Sequence, residues 1–290
     1  MARGKLYLVP VPIGNFADIT YRAIEVLKYV DLILAEDTRI SGILLAEFGI
    51  ETSLLSYHQH NEQSRVEQII TKLESGKNIA LISDAGMPCI SDPGSIIVKS
   101  LLDKNIEIVT LPGANAALTC LAGSGLNTDY FTFFGFLPVK GKERSEQLKK
   151  IANHDYSIIL YEAPHRILRT LEDLIEQGLG KRRIVVGREL TKKYENYVRD
   201  TVENVCQHYK QEENPRGEFV LVLEGKAEFL AGNDQAQAEL EEKIEQQAIV
   251  DLKQLLNGEM KMKSAVDYLS DKYKINKNKL YQLALEFKEK

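Results

Sequence analysis

Short apolar runs alternate with longer stretches of helical periodicity through the first 111 residues. Runs 6–11, 32–35, 79–82 and 106–111 are dominated by Leu, Ile, Val and Ala and read as buried strands. Residues 19–30, 66–74 and 96–102 repeat apolar side chains every three or four positions, the spacing of a helix with one buried face. Strand and helix in turn imply a parallel or mostly parallel sheet. After a small-residue helix at 114–123, a second series begins near Tyr130. Its strands, at 131–136, 157–161, 184–189, 194–199 and 218–224, are longer and less uniformly apolar, with helices at 145–152, 166–177 and 202–209. That change of character puts a boundary between residues 112 and 128. It divides the chain into an α/β domain over 1–115, a second over 116–228, and a helical remainder over 229–290. Within the remainder, 236–249 is rich in Gln and Glu and reads as a solvated helix or linker. Ala265, Val266, Tyr268 and Leu269, then Ile275, then Leu280, Leu283, Ala284, Leu285 and Phe287 predict two short amphipathic helices, with Lys272, Lys274, Lys277 and Lys279 clustered about their turn.

The segment Ser83-Asp84-Ala85-Gly86-Met87-Pro88-Cys89-Ile90-Ser91-Asp92-Pro93-Gly94 joins a predicted strand to a predicted helix. It lies where open α/β sheets bind ligands, at the carboxyl end of a strand. Gly86 and Gly94 allow positive φ or close approach, while Pro88 and Pro93 restrict the chain around them. Asp92 before Pro93 also reads as a helix cap, which leaves Asp84 unexplained. Val9-Pro10-Val11-Pro12-Ile13-Gly14-Asn15 closes the first strand with prolines in place of a glycine-rich phosphate loop. No GxGxxG follows that strand and no GxxxxGK[ST] occurs anywhere, so dinucleotide and NTP sites lose their main support. Ala35-Glu36-Asp37-Thr38-Arg39 sets two carboxylates, a hydroxyl and a guanidinium at another strand end; a cap at Asp37 or Thr38 accounts for part of it.

With 290 residues, 44% hydrophobic and 27% charged, the chain reads as a soluble globular protein with no membrane span. No signal-peptide core follows Met1, so a cytoplasmic enzyme is expected. Cys89, Cys120 and Cys206 are scattered and suggest neither a disulfide framework nor a metal site. A net charge of −5 argues against a uniformly basic, nucleic-acid-coating surface, although local basic patches stay compatible with it.

Nine motifs in order resemble the tetrapyrrole methylase superfamily of S-adenosylmethionine-dependent methyltransferases, in its ribosomal RNA branch. They are 9–15, 35–39, 83–88 and 91–94 above, with Leu111-Pro112-Gly113, Gly135-Phe136-Leu137-Pro138, Glu162-Ala163-Pro164-His165-Arg166, Arg188-Glu189-Leu190-Thr191-Lys192 and Pro215-Arg216-Gly217-Glu218. The resemblance covers roughly residues 5–225, and the carboxyl-terminal piece resembles a helix-turn-helix extension. It implies a class III methyltransferase fold: two α/β domains with the cofactor in the cleft between them, plus a small helical C-terminal region. The activity implied is 2'-O-methylation of a cytidine in the decoding centre of 16S rRNA, with the 30S subunit as partner and a homodimer as assembly. Carried over by position, the opening loop through Pro10 forms one wall of the S-adenosylmethionine site. Asp84, Ala85, Gly86, Met87 and Pro88 line the cofactor, and Pro112, Gly113 and Ala114 lie below it. Tyr161, Glu162 and Ala163 approach from the far side, with Gly217 and Glu218 near the adenine.

Methyl transfer from a sulfonium needs alignment more than activation, and a proton acceptor adds about 10²- to 10⁴-fold. Candidate acceptors are Glu36, Asp37, His58 and Glu189, each with an equally plain structural reading. His58 belongs to a polar run, Tyr57-His58-Gln59-His60-Asn61-Glu62, better suited to a loop with Asn61 as helix cap than to a metal site. For RNA phosphates the candidates are Arg39, Arg166, Arg188, Lys192, Lys140, Arg144, Lys277 and Lys279. The aromatic run within 133–138 fits sheet core better than a base-stacking platform. Two other classes remain on the residues alone: a methyltransferase of this fold acting on a tetrapyrrole or other small molecule, and a ligand-sensing DNA-binding regulator.

Overall fold

The computed structural model describes residues 2–212 and 214–288, the side chains of residues 286–288 aside. Phe287, assigned above to the last helix's apolar face, thus lies outside the described side chains. Contacts divide the chain into one compact unit over Met1–Lys226 and another over Ala227–Lys290.

The first unit holds two sheets. Strands β1 (Leu6–Leu8), β2 (Leu32–Ala35), β3 (Leu54–Ser56), β4 (Ile79–Ile82) and β5 (Ile108–Thr110) pair in the order β3-β2-β4-β1-β5, and every pairing is parallel. Helices α1 (Tyr21–Tyr29), α2 (Thr38–Glu47), α3 (Glu62–Glu74) and α4 (Ser95–Asp103) make the crossovers. All four residues of central β4 are buried, as a strand covered on both faces requires. The parallel sheet expected from the alternating pattern is therefore observed. Among the strands and crossover helices of this sheet, β3 and α2 were not anticipated. The first is three residues long, and the second carries Ser41-Gly42 within its apolar pattern, which weakens its helical signal. β1 stops at Leu8 because Pro10 and Pro12 have no amide to donate to a ladder.

Helix α5 (Ala116–Ala122) leads to the second sheet. Its strands are β6 (Phe131–Phe136), β7 (Ser157–Glu162), β8 (Arg183–Arg188), β9 (Asn196–Thr201) and β10 (Phe219–Leu223), in the order β6-β7-β10-β8-β9. β6 and β7 run parallel, and the remaining pairings are antiparallel. Helices α6 (Gly141–Ala152), α7 (Ile167–Glu176) and α8 (Val202–Lys210) bury their apolar stripes with one face of this sheet, in a core that includes Leu148, Leu171 and Val205. On the other face, α5 packs through Cys120 and Leu121 against Ile159, Val185 and Val220.

A short helix α9 (Lys226–Ala231) precedes the helices of the second unit. The Gln- and Glu-rich stretch is a helix, α10 (Asp234–Asn257), longer than the sequence pattern indicated. With α11 (Met262–Tyr273) and α12 (Lys277–Lys288) it encloses a core that includes Leu252, Val266, Leu269 and Leu280. The two tail helices expected from the spacing are present, and the chain turns between them at Lys274, φ 57°.

Candidate active site

The segment after β4 is pinned at three points. Gly86 exchanges backbone hydrogen bonds with Val11, 2.9 and 3.0 Å, which ties the segment to the proline-rich end of β1. The Asp84 carboxylate accepts from the Asp37 amide at 2.9 Å. At its far end the Gly94 amide donates to Glu62, 3.2 Å, a buried carboxylate that also accepts from the Tyr57 hydroxyl. Gly86 has φ 78°, and a Cβ there would stand 3.1 Å from Ile13. Gly94 has φ 130°, and a Cβ there would fall 2.6 Å from both Cys89 Sγ and Leu81. Between these anchors Cys89 and Ser91 take φ of 71° and 64°, conformations that non-glycine residues adopt at a cost and that concentrate at binding sites.

This segment forms one wall of a cavity of about 290 Å³. Ala85, Gly86, Met87, Ile90, Ser91 and Asp92 line it from the first sheet's side, together with Ile13. The opposite wall comes from the second sheet: Phe136, Tyr161, Glu162, Ala163, Pro164, Leu190, Glu218, Phe219 and Val220. Asn115 and Ala116 connect the two. The second wall is braced from behind. Glu162 accepts from Thr170 at 2.5 Å and from the Ala163 amide at 2.9 Å, and it pairs with Arg166 at 3.2 Å. Thr170 in turn accepts from Arg144, which pairs with Asp173 at 2.5 Å. The Tyr161 hydroxyl accepts from the Ala117 amide, and its ring meets Phe133 and Phe136 edge-on.

Seven of the expected cofactor residues therefore meet at one cavity: Ala85, Gly86, Met87, Tyr161, Glu162, Ala163 and Glu218. The others do not line it. Asp84 and Pro88 belong to the loop but not to the lining. Pro10 and Gly113 approach so closely that a Cβ on Gly113 would sit 2.6 Å from the proline ring, fixing the segment that carries Pro112 and Ala114. Gly217, φ 95°, lets the chain pass Glu189.

Of the acid–base candidates, none lines the cavity. Asp37 caps α2 by accepting from the Arg39 amide and pairs with the Arg39 side chain, which holds its carboxyl down at about 2. Burial draws on Glu189 in the opposite sense, yet hydrogen bonds from the Glu218 amide and Lys192 leave its carboxyl below the usual range, committed to the loop. His58 Nε2 lies 3.2 Å from the Asn61 side chain. Glu36 is pushed up by burial and by the neighbouring charge of Asp84.

Asp92 is the carboxyl that the helix-cap reading set aside. It caps nothing in the structure, because α4 begins after Gly94 and has no side-chain cap among the described residues. It lines the cavity instead, and burial, with the charges of Glu36 and Asp84, pushes it up to about 7. A raised carboxyl of this kind leaves no signal in sequence, since it depends on burial in the folded chain and on Glu36 converging from the end of another strand.

The basic candidates separate likewise. Arg144 is 4% exposed, and its guanidinium is spent on Asp173, Thr170 and the Pro138 carbonyl, which makes it a strut. Arg166 holds Glu162 and the Leu137 carbonyl; Arg188 holds Glu212 and the Arg216 carbonyl; Lys192 bridges Glu189 and Glu218. Arg39 and Lys140 are exposed. In the second unit Lys277 pairs with Asp267, and Lys279 with Glu245. Beside the first cavity, Gly14, Asn15, Phe16, Thr191, Lys192 and Lys193 line an open pocket of about 600 Å³. Ile13–Gly14 and Leu190–Thr191 thus wall both spaces.

A family model described as tetrapyrrole (corrin/porphyrin) methylases matches residues 5–206. The chain belongs to that family. This methylase is 45% identical over 289 residues to the ribosomal RNA small subunit methyltransferase I of Haemophilus influenzae, an alignment covering 99% of this chain and 98% of the relative. It is 53% identical over 222 residues to the Bacillus subtilis protein of the same name, covering 77% and 75%. Among solved structures, uroporphyrin-III C-methyl transferase from Thermus thermophilus, complexed with S-adenyl homocysteine, aligns with a TM-score of 0.57 at 17% identity, over 77% of this chain and 98% of that one. At that identity the likeness speaks to the fold: the methylase has the two-sheet class III architecture expected from its motifs.

Proposed function

We propose that this methylase transfers a methyl group to the 2'-hydroxyl of a cytidine in the decoding centre of small-subunit (16S) ribosomal RNA, with S-adenosylmethionine as donor. The observation that carries the reading is the cavity walled by both sheets, in a chain whose near-full-length relatives are named ribosomal RNA small subunit methyltransferase I.

The residues present suit the donor. The space at Gly86 that a Cβ would fill, the apolar faces of Ile13, Leu190 and Val220, and the polar Ser91 and Asn115 give both a dry wall for a base and partners for an amino acid. Bound there, S-adenosylmethionine supplies an electrophilic methyl on a sulfonium. The pinned loop and the braced Glu162 wall hold the reacting groups in line, and orientation of that kind reaches effective molarities on the order of 10⁵ to 10⁸ M. The open pocket with Lys192 and Lys193 at its edge gives a polynucleotide access to the same wall segments. We place the activity in the cytoplasm, on the 30S subunit, and in a homodimer; among the described residues no helix is long and apolar enough to cross a membrane.

The test is incubation of the purified protein with tritiated S-adenosylmethionine and 30S particles, naked rRNA or a tetrapyrrole acceptor. Label in small-subunit RNA is expected, with alkali resistance at a single cytidine. Label in the tetrapyrrole alone would sink the reading.

A further inference from the structure

Three carboxyls line the donor cavity among the described residues: Asp92, Glu162 and Glu218. Glu162 is 2% exposed and fully engaged by Thr170, the Ala163 amide and Arg166. Glu218 is held by Lys192 at 3.0 Å. Asp92 has neither kind of partner. Burial acts on it first, and then the like charges of Glu36 at the end of β2 and Asp84 in its own loop; the nearby Ser83 hydroxyl, which donates to the Ala85 and Gly86 carbonyls, offsets part of this. Tyr161 on β7 and Cys89 in the loop also feel its charge, and both are pushed up, chiefly by burial. No cation faces it among the described residues.

A ribose hydroxyl that attacks a sulfonium methyl must lose its proton, and the group that takes it should be free, adjacent and basic near neutral pH. Resting on the methyl-transfer reading above, we infer that the Asp92 carboxylate is the proton acceptor for the attacking 2'-hydroxyl. The ribose oxygen gains the methyl carbon, the donor sulfur keeps the electron pair of the broken S–C bond, and the hydroxyl proton passes to Asp92. Release of S-adenosylhomocysteine exposes Asp92 to water, which takes that proton. Burial raises the basicity of Asp92 first, and the negative charges of Glu36 and Asp84 act through Asp92 by raising it further.

The test is single-turnover methylation of 30S particles at saturating S-adenosylmethionine, across pH from about 5.5 to about 9, by wild type, Asp92→Asn and Glu36→Gln. For wild type the rate is expected to rise through an inflection near 7 and then level off. Asp92→Asn is expected to lose about 10²-fold or more of the levelled rate, and with it the inflection, while cofactor affinity by calorimetry stays within about threefold. Glu36→Gln is expected to move the inflection to lower pH, because a neighbouring charge is removed. An Asp92→Asn enzyme within about threefold of wild type, or one with the wild-type inflection, overturns the assignment. A Glu36→Gln profile that does not move also contradicts it, and this second variant decides the matter if Asp92→Asn does not fold. Absence of RNA methylation by wild type is the separate failure of the functional reading.

Discussion

Asp92 shows how a residue's role is set by neighbours that the chain brings from a distance. In the folded chain it keeps its proton up to about 7, against an ordinary value of 3.8. Its contribution to stability is therefore complete below about 3.8 and lost as pH rises through about 7. For the cofactor-free protein, the melting temperature of wild type is expected to fall relative to that of Asp92→Asn between about pH 5 and about pH 8.5. A difference that stays constant over that range would contradict the placement of Asp92 beside Glu36 and Asp84. Arg144 makes the opposite point: a charge read as surface is buried. Arg144→Met removes one member of the pair with Asp173 and a donor to Thr170, and breaking such a pair costs about 3–5 kcal/mol. Chemical denaturation is expected to register a loss of that order, and a cost below about 1 kcal/mol would return Arg144 to the surface candidates.

Among the elements, the segment 83–94, read as a binding loop from its glycines and prolines between a buried strand and a helix, lines the cavity in the structure. What stayed hidden was which of its residues face the cavity. Asp84 stood out as an unexplained acid, but its carboxylate is the loop's tie to Asp37, while Asp92 turns inward. The division follows from positive φ at Cys89 and Ser91, which no propensity foretells. The central β4 and the helices α1, α3 and α4 could be read from periodicity, whereas three-residue β3 was too short to carry a pattern. Phe136, assigned with its neighbours to sheet core, is half exposed and lines the cavity. Gly86→Val is expected to abolish cofactor binding by calorimetry while leaving the circular-dichroism spectrum unchanged, since the new side chain meets Ile13 in a backbone conformation that β-branched residues resist. Wild-type affinity in that variant would move the donor elsewhere.

For the whole molecule, the division after Lys226 falls outside every segment that lines the cavity. Every residue lining the cavity lies in the first unit. A chain ending at residue 226 is accordingly expected to bind S-adenosylmethionine with an affinity within about threefold of the full chain, and a loss beyond about tenfold would show that the second unit completes the site. The net charge of −5 coexists with an open pocket edged by Lys192, which pairs with Glu189 and Glu218, and by the exposed Lys193. The central claim, that the cavity between the two sheets delivers a methyl group to ribose in small-subunit RNA, is tested most directly by mapping the label. Tritiated S-adenosylmethionine and 30S particles should yield one alkali-resistant, 2'-O-methylated cytidine in 16S rRNA, and that modification should be absent with Gly86→Val. Label on a base, or no label in RNA, would contradict it.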